Sequence, residues 1–141
     1  MYTPPAARVA RAYQRVAVES SIEGGASPHR LVEMLYEGVG QSLLAAQGAL
    51  ARGDIAAKGE QIGRAVRLLE EGLKAGLDLS RGGELAGRLR ALYDYCIGRL
   101  TTANLRNDAA IVAEVAALIG PVAQAWREIG PQAHAVAPQP A

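Results

Sequence analysis

Ser27-Pro28-His29-Arg30-Leu31-Val32-Glu33-Met34-Leu35-Tyr36-Glu37-Gly38 opens the stretch whose reading decides the fold. Ser27 can accept from the first exposed amides of a helix, and Pro28 at the first helical position gives up a hydrogen that has no partner there. From this start Leu31, Met34, Leu35, Val39, Leu43, Ala46 and Leu50 form one apolar stripe that ends near Arg52-Gly53. The spacing predicts a first long helix with that stripe as its buried face.

The same logic continues toward the C-terminus. Asp54 stands where it can cap a second helix, whose apolar positions Ile55, Ile62, Val66, Leu69, Leu73 and Leu77 stop before Ser80-Arg81-Gly82-Gly83. Past the glycine pair, Leu85, Leu89, Leu92, Cys96, Leu100 and Ala103 predict a third helix, up to a break at Asn107-Asp108. Asp108 caps a fourth, with Ile111, Val112, Val115, Leu118, Ile119, Val122, Trp126 and Ile129 on its apolar side. Pro121 removes one of its backbone hydrogen bonds, so a bend or local distortion is expected there. Short connections make sequential helices antiparallel, and the predicted fold is all-α: an antiparallel up-down-up-down four-helix bundle over residues 27–129.

Glycine fits this pattern poorly. Gly38, Gly40, Gly48, Gly59, Gly63, Gly72, Gly76, Gly87 and Gly98 fall inside proposed helices. Each costs up to about 1 kcal/mol relative to Ala when exposed, so a bundle of modest stability is expected. Gly59 with Gly63 and Gly72 with Gly76 have the spacing of membrane helix-pairing motifs, but Glu60, Arg64, Glu71 and Lys74 make the setting aqueous. Close contact between helices in water, or composition bias, is the better account.

Toward the N-terminus, Val9, Tyr13 and Val16 recur at helical spacing opposite Arg8, Arg11 and Arg15. A short extra amphipathic helix over residues 6–20 is predicted, too short to stand alone and therefore expected to dock. Residues 1–5 and 130–141, rich in Pro, Ala and Gln, are expected to be disordered.

Composition narrows the function. At 141 residues the chain has about one domain's worth of sequence, and its apolar residues are aliphatic, with five Tyr, one Trp and no Phe. A net charge of +1 with both signs interspersed offers no field for nucleic acid or an anionic membrane surface. The single cysteine, Cys96, cannot form an intramolecular disulfide. The N-terminus carries no secretory apolar core, and even the apolar stretch from Ala109 to Trp126 is interrupted by Glu114 and Pro121. A cytoplasmic protein without membrane insertion is expected.

Catalytic and metal chemistry find no foothold. No glycine turn ends in Gly-Lys-Ser or Gly-Lys-Thr, so nucleotide-driven action is not indicated. The only imidazoles are His29 and His134, and Cys96 lies on the predicted core stripe. His29 with Glu33 supplies two ligands where a metal site needs more, and no Glu-x-x-His pair is present. Glu33 with Glu37 and Glu70 beside Glu71 read as wet helix faces. The expected protein is not an enzyme and uses no cofactor or metal. Tyr93 and Tyr95 diverge by about 200° on a helix, so one of them should point outward.

Taken together, several strings resemble one family, the flagellin export chaperones (FliS). The Tyr13-Gln14 pair, Ala26 through Gly38, Gly83-Glu84-Leu85-Ala86, Leu92-Tyr93-Asp94-Tyr95, Ala103-Asn104-Leu105 with Asn107-Asp108, and Ala125-Trp126 occur in that family's order over roughly residues 10–129. The second helix departs from the family's Lys-Ala-rich pattern at Gly59, Gly63, Gly72 and Gly76. The resemblance implies a cytoplasmic, ATP-independent chaperone that binds the disordered C-terminal segment of flagellin, blocks premature polymerisation and delivers it to the flagellar type III export apparatus. It further implies contact with the export gate and with a flagellar regulator. Tyr13, Tyr36, Tyr93, Tyr95 and Asn104 match its motif positions and are the expected partner-facing residues, with Val9, Tyr13 and Val16 as an N-terminal cap that the partner displaces. The free chain is expected to be a monomer. The alternative is a helical adaptor that binds a folded flagellar or anti-sigma partner and would ignore an isolated flagellin peptide.

Overall fold

The computed structural model describes Tyr13 and residues 27–130. Helix α1 runs Pro28–Arg52, α2 Ile55–Arg67, α3 Leu79–Arg106 and α4 Ala109–Ile129, and no strand occurs among the described residues. Each helix begins on a side-chain oxygen. Ser27 Oγ accepts from the Arg30 amide at 3.1 Å, and Asp54, Asp78 and Asp108 accept from the amides of Ala57, Arg81 and Ala110 at 3.0–3.1 Å. Gly53 and Asn107 close α1 and α3 in the left-handed conformation, at φ 73° and 53°.

The second helix departs from expectation. Past Arg67 it widens into a π-helical segment, Leu68–Lys74, in which the Ala75 amide reaches back to the Glu70 carbonyl. It ends there, and Asp78 starts α3 at Leu79, ahead of the predicted break. The glycine pair still acts as a break, as a kink inside α3: Gly83 sits at φ 57°, ψ −138°, a conformation open essentially to glycine alone. By contrast, α4 continues through the exposed Pro121.

Contacts fix the packing. On α1 and α2, Ser42 meets Arg64, and Gly38 and Leu35 face Leu68 and Gly72 of the π-helical segment. Lys58 meets Asn104 while Lys74 meets Asp94. His29 at the start of α1 meets Trp126 at the end of α4. Between α1 and the second helix, and between the second helix and α3, the partners run in opposite order, the antiparallel sense expected of short connections.

The buried face of α1 is rotated from the predicted stripe. Val32, Tyr36, Val39, Leu43, Ala46 and Ala49 are buried, whereas Met34 is 49% exposed and Leu31 only half-buried. Tyr36, left out of the predicted stripe, is buried between Val32 and Val39 on this face. On α2 the predicted apolar Ile55 is 52% exposed.

Helix α4, with a mean hydropathy of 1.6 over its most apolar window, is long and apolar enough to cross a membrane, which corrects the expectation that no stretch would qualify. Its Ile111, Val112, Val115, Ile119 and Trp126 are buried in the bundle, so its apolarity serves the core. The predicted N-terminal helix over residues 6–20, with Val9 and Val16, lies outside the described residues except for Tyr13, and so do the expected disordered segments 1–5 and 130–141 except for Gly130, which caps α4.

Candidate partner-binding cleft

Tyr13 comes from outside the four helices yet is completely buried among them. Its hydroxyl lies 2.5 Å from that of Tyr93 on α3 and 3.5 Å from that of Tyr36 on α1, and Tyr36 and Tyr93 are 2.6 Å apart. Its ring stands edge-on to Trp126 of α4, with centroids 5.6 Å apart at 71°. One residue therefore touches three helices. Burial first, and the neighbouring phenols second, raise the Tyr13 pKa well above its ordinary value. Burial likewise raises Tyr93 well above and Tyr36 above the usual range, so all three are neutral donors and acceptors.

Beside Tyr13 a cleft of about 320 Å³ opens between α3 and α4, walled by Leu85, Leu89, Val122, Trp126 and Ile129. A second depression of about 580 Å³ runs between α1 and α4 over Leu43, Leu44 and Ile119, with Glu37 and Arg127 at its rim. Tyr36 lines both, and Leu44 is 71% exposed. Although smaller, the first has mostly apolar walls and counts Tyr13, a residue outside the four helices, among its lining.

His29 and Trp126 brace this end of the molecule. The Trp126 indole N–H donates to the His29 carbonyl at 2.9 Å, and His29 Nε2 lies 2.8 Å from the Trp126 carbonyl. Their rings stack with centroids 4.9 Å apart at 8°. This pairing uses His29 structurally, while Glu33 and Glu37 both bind Arg30, at 2.9 and 3.1 Å. Arg30 thus engages both carboxylates of the Glu33–Glu37 pair, and among the described residues no group of three His, Cys, Asp or Glu could hold a metal. Cys96 is fully buried, and burial pushes its thiol up to about 11.

The predicted partner-facing residues separate into two sets. Tyr13, Tyr36 and Tyr93 face the interior instead of the surface, because their rings fill the bundle and their hydroxyls satisfy one another. Tyr95 is the outward member of its pair, 48% exposed, and donates to Glu114 at 2.6 Å. Asn104 is half-buried at a helix end, where its Oδ1 accepts from Lys58 at 2.7 Å. Sequence reading missed the His29–Trp126 pairing, which joins residues 97 apart and has no local signal. The Glu114 carboxyl is held below its usual range by the Tyr95 hydroxyl and then by Arg99, 2.8 Å away.

Comparison with known proteins gives this geometry a context. The sequence pattern of the family described as flagellar protein FliS matches residues 9–133. The chain is 49% identical to a flagellar secretion chaperone FliS of Salmonella typhimurium, an alignment spanning 87% of this chain and 90% of that protein. It is 42% identical to flagellar secretion chaperone FliSB of Pseudomonas aeruginosa, over 86% and 94% of the two chains, and 32% identical to the FliS of Bacillus subtilis, over 83% and 82%. The matched span takes in Tyr13 and every described helix. This chain belongs to the FliS family of flagellar secretion chaperones.

Proposed function

We propose that the protein is a cytoplasmic, ATP-independent export chaperone that binds the disordered C-terminal segment of flagellin, prevents its premature polymerisation and delivers it to the flagellar type III export apparatus. The observation that carries this reading is the seat of Tyr13: a residue outside the bundle occupies an apolar cleft on which helices α1, α3 and α4 converge. Such a residue can be exchanged for one of a partner without unfolding the helices. Val9 and Val16 belong with Tyr13 in a placeholder segment that flagellin displaces, uncovering Tyr36 and Tyr93. Tyr95 and Asn104 extend the contact surface along α3.

A partner that orders on binding loses about 2–5 kcal/mol of its gross interaction energy, so several apolar anchors must be buried at once. The two depressions adjoin through Tyr36 and share α4 as a wall, which supports an extended, wrapped interface over a single pocket. The free chain acts as a monomer, and the export gate and a flagellar regulator are its further partners.

Titration with the C-terminal segment of the host's flagellin tests the reading. The peptide gains helix on binding and hydrogen exchange slows along α3 and α4. Deleting residues 1–20 raises the association rate. Absence of binding would refute the reading, and an unchanged association rate would remove the placeholder role.

A further inference from the structure

The deepest polar feature of the bundle is the ring of three hydroxyls in apolar surroundings. Each phenol has one hydrogen to donate and lone pairs to accept. With Tyr13 seated the count closes: Tyr93 bonds to both neighbours, at 2.5 and 2.6 Å, and the longer third side at 3.5 Å completes the ring. Without Tyr13, two hydrogens remain and share one mutual bond. One O–H of the Tyr36–Tyr93 pair then points for an acceptor into a cleft walled by Leu89, Val122 and Trp126.

We infer that the segment replacing Tyr13 must place a neutral hydrogen-bond acceptor, a hydroxyl or carboxamide side chain, against the Tyr36–Tyr93 hydroxyl pair, between apolar anchors on either side. This rests on the displacement of Tyr13 proposed above and names the chemistry the displacing segment needs. An aliphatic anchor fills the volume but leaves a buried donor without a partner, which weakens binding by roughly ten-fold or more. A carboxylate would accept well, but the surroundings disfavour negative charge, as the raised values of all three phenols record. The edge-on contact with Trp126 adds room for a planar group. Tyr36 and Tyr93 thereby set specificity, since they reject a purely apolar segment that the rest of the cleft would accept.

A double-mutant cycle tests this on the intact chain with a peptide of the host flagellin's C-terminal segment. Each Ser, Thr, Asn, Gln and Tyr of the peptide is replaced in turn by an apolar residue of similar shape, and binding is measured to the wild-type chain and to Tyr36→Phe/Tyr93→Phe. Both changes keep the rings, and if the double variant melts early both chains are measured at a lower temperature, where its circular dichroism matches that of the folded wild type. Any loosening of Tyr13 in the variants affects every peptide equally and cancels within the cycle.

At one peptide position the replacement weakens binding to the wild-type chain about ten-fold and leaves binding to the Phe variant within about two-fold. Emission from Trp126, the chain's one tryptophan, reports the departure of Tyr13 in the same samples. If the peptide binds and Tyr13 leaves, yet no position is coupled, water or a backbone carbonyl satisfies the pair and the inference is overturned while the proposed function stands. If the peptide does not bind, both fall together; if it binds while Tyr13 stays seated, the placeholder role and this inference are overturned and the chaperone reading stands.

Discussion

Two seams of the bundle are closed in opposite ways. Between α1 and the second helix, closure is internal: Leu68 lies over Gly38, Leu35 lies over Gly72, and Arg64 donates to Ser42 Oγ at 2.6 Å and to the Gly38 carbonyl at 3.1 Å. A β-carbon added at Gly72 would lie 2.8 Å from Leu35, so little space remains to be filled. Between α3 and α4 the walls stand apart at one end, and Tyr13, from a distant part of the chain, is buried against them and lines the cleft that remains. In the function proposed above, the first seam stays closed while the second exchanges Tyr13 for a residue of the partner. A binding protein needs both, because a cleft is useful only when the rest of the fold holds while it opens.

Truncation inside the fixed part should have the largest effect. Leu69→Ala, at a fully buried position of the π-helical segment, is expected to cost about 2–5 kcal/mol in urea-induced unfolding. Tyr13→Ala removes an equally buried and larger side chain but should cost less than about half as much, because its segment can leave without global unfolding. Equal losses would show the two seams to be one cooperative unit and would end the distinction.

Alkali should act next, and only on the exchangeable seam. The folded-state pKa values of Tyr13, Tyr36 and Tyr93 lie above their unfolded value of about 10, so the ring's contribution is complete below that pH. It declines as pH rises toward the folded values, because the unfolded chain releases its phenolic protons first. An absorbance titration should find Tyr13, Tyr36 and Tyr93 failing to ionise in the ordinary range and Tyr95, bonded to Glu114, raised as well, with Trp126 emission changing when the buried ring ionises. Titration of all five near pH ~10 would show that the hydroxyl ring does not close.

Two glycine substitutions sharpen the contrast with effects of opposite sign. Gly72→Ala should lower stability by about 1 kcal/mol, since Leu35 has to move and overpacking exceeds the gain in helix propensity. Gly98→Ala on the exposed side of α3, where a β-carbon meets nothing within 4 Å, should raise it by up to about 1 kcal/mol. Thermal melts that moved the same way for both would rule out close packing as the reason for Gly72. The smallest effect belongs to Arg30→Ala. Its pairs with Glu33 and Glu37 are solvent-exposed, and the melting temperature should not change measurably at physiological salt.

Much of this contrast could be read in advance from local signals. Ser27, Asp54 and Asp108 marked three helix starts correctly because a cap acts within its own first turn. Asp78 was passed over in favour of the glycine pair, since both are sound punctuation and only packing shows that the chain uses one as a cap and the other as a kink. The predicted stripe on α1 missed its axis because Tyr36 scored as amphipathic. Three hydroxyls from distant positions make it apolar in effect, by satisfying one another.

The sequence by itself determined the helices, their order and their antiparallel connection, and motif by motif it carried the family. Those features depend on spacing and capping, which operate over a few residues of chain. Only the tertiary structure decided that Tyr13, Tyr36 and Tyr93 meet, that His29 locks to Trp126, and that one seam is sealed by glycine-to-leucine contact while another borrows its seal. Each of these joins groups separated by tens of residues, and such a contact exists only once the helices have packed and water has left the space between them.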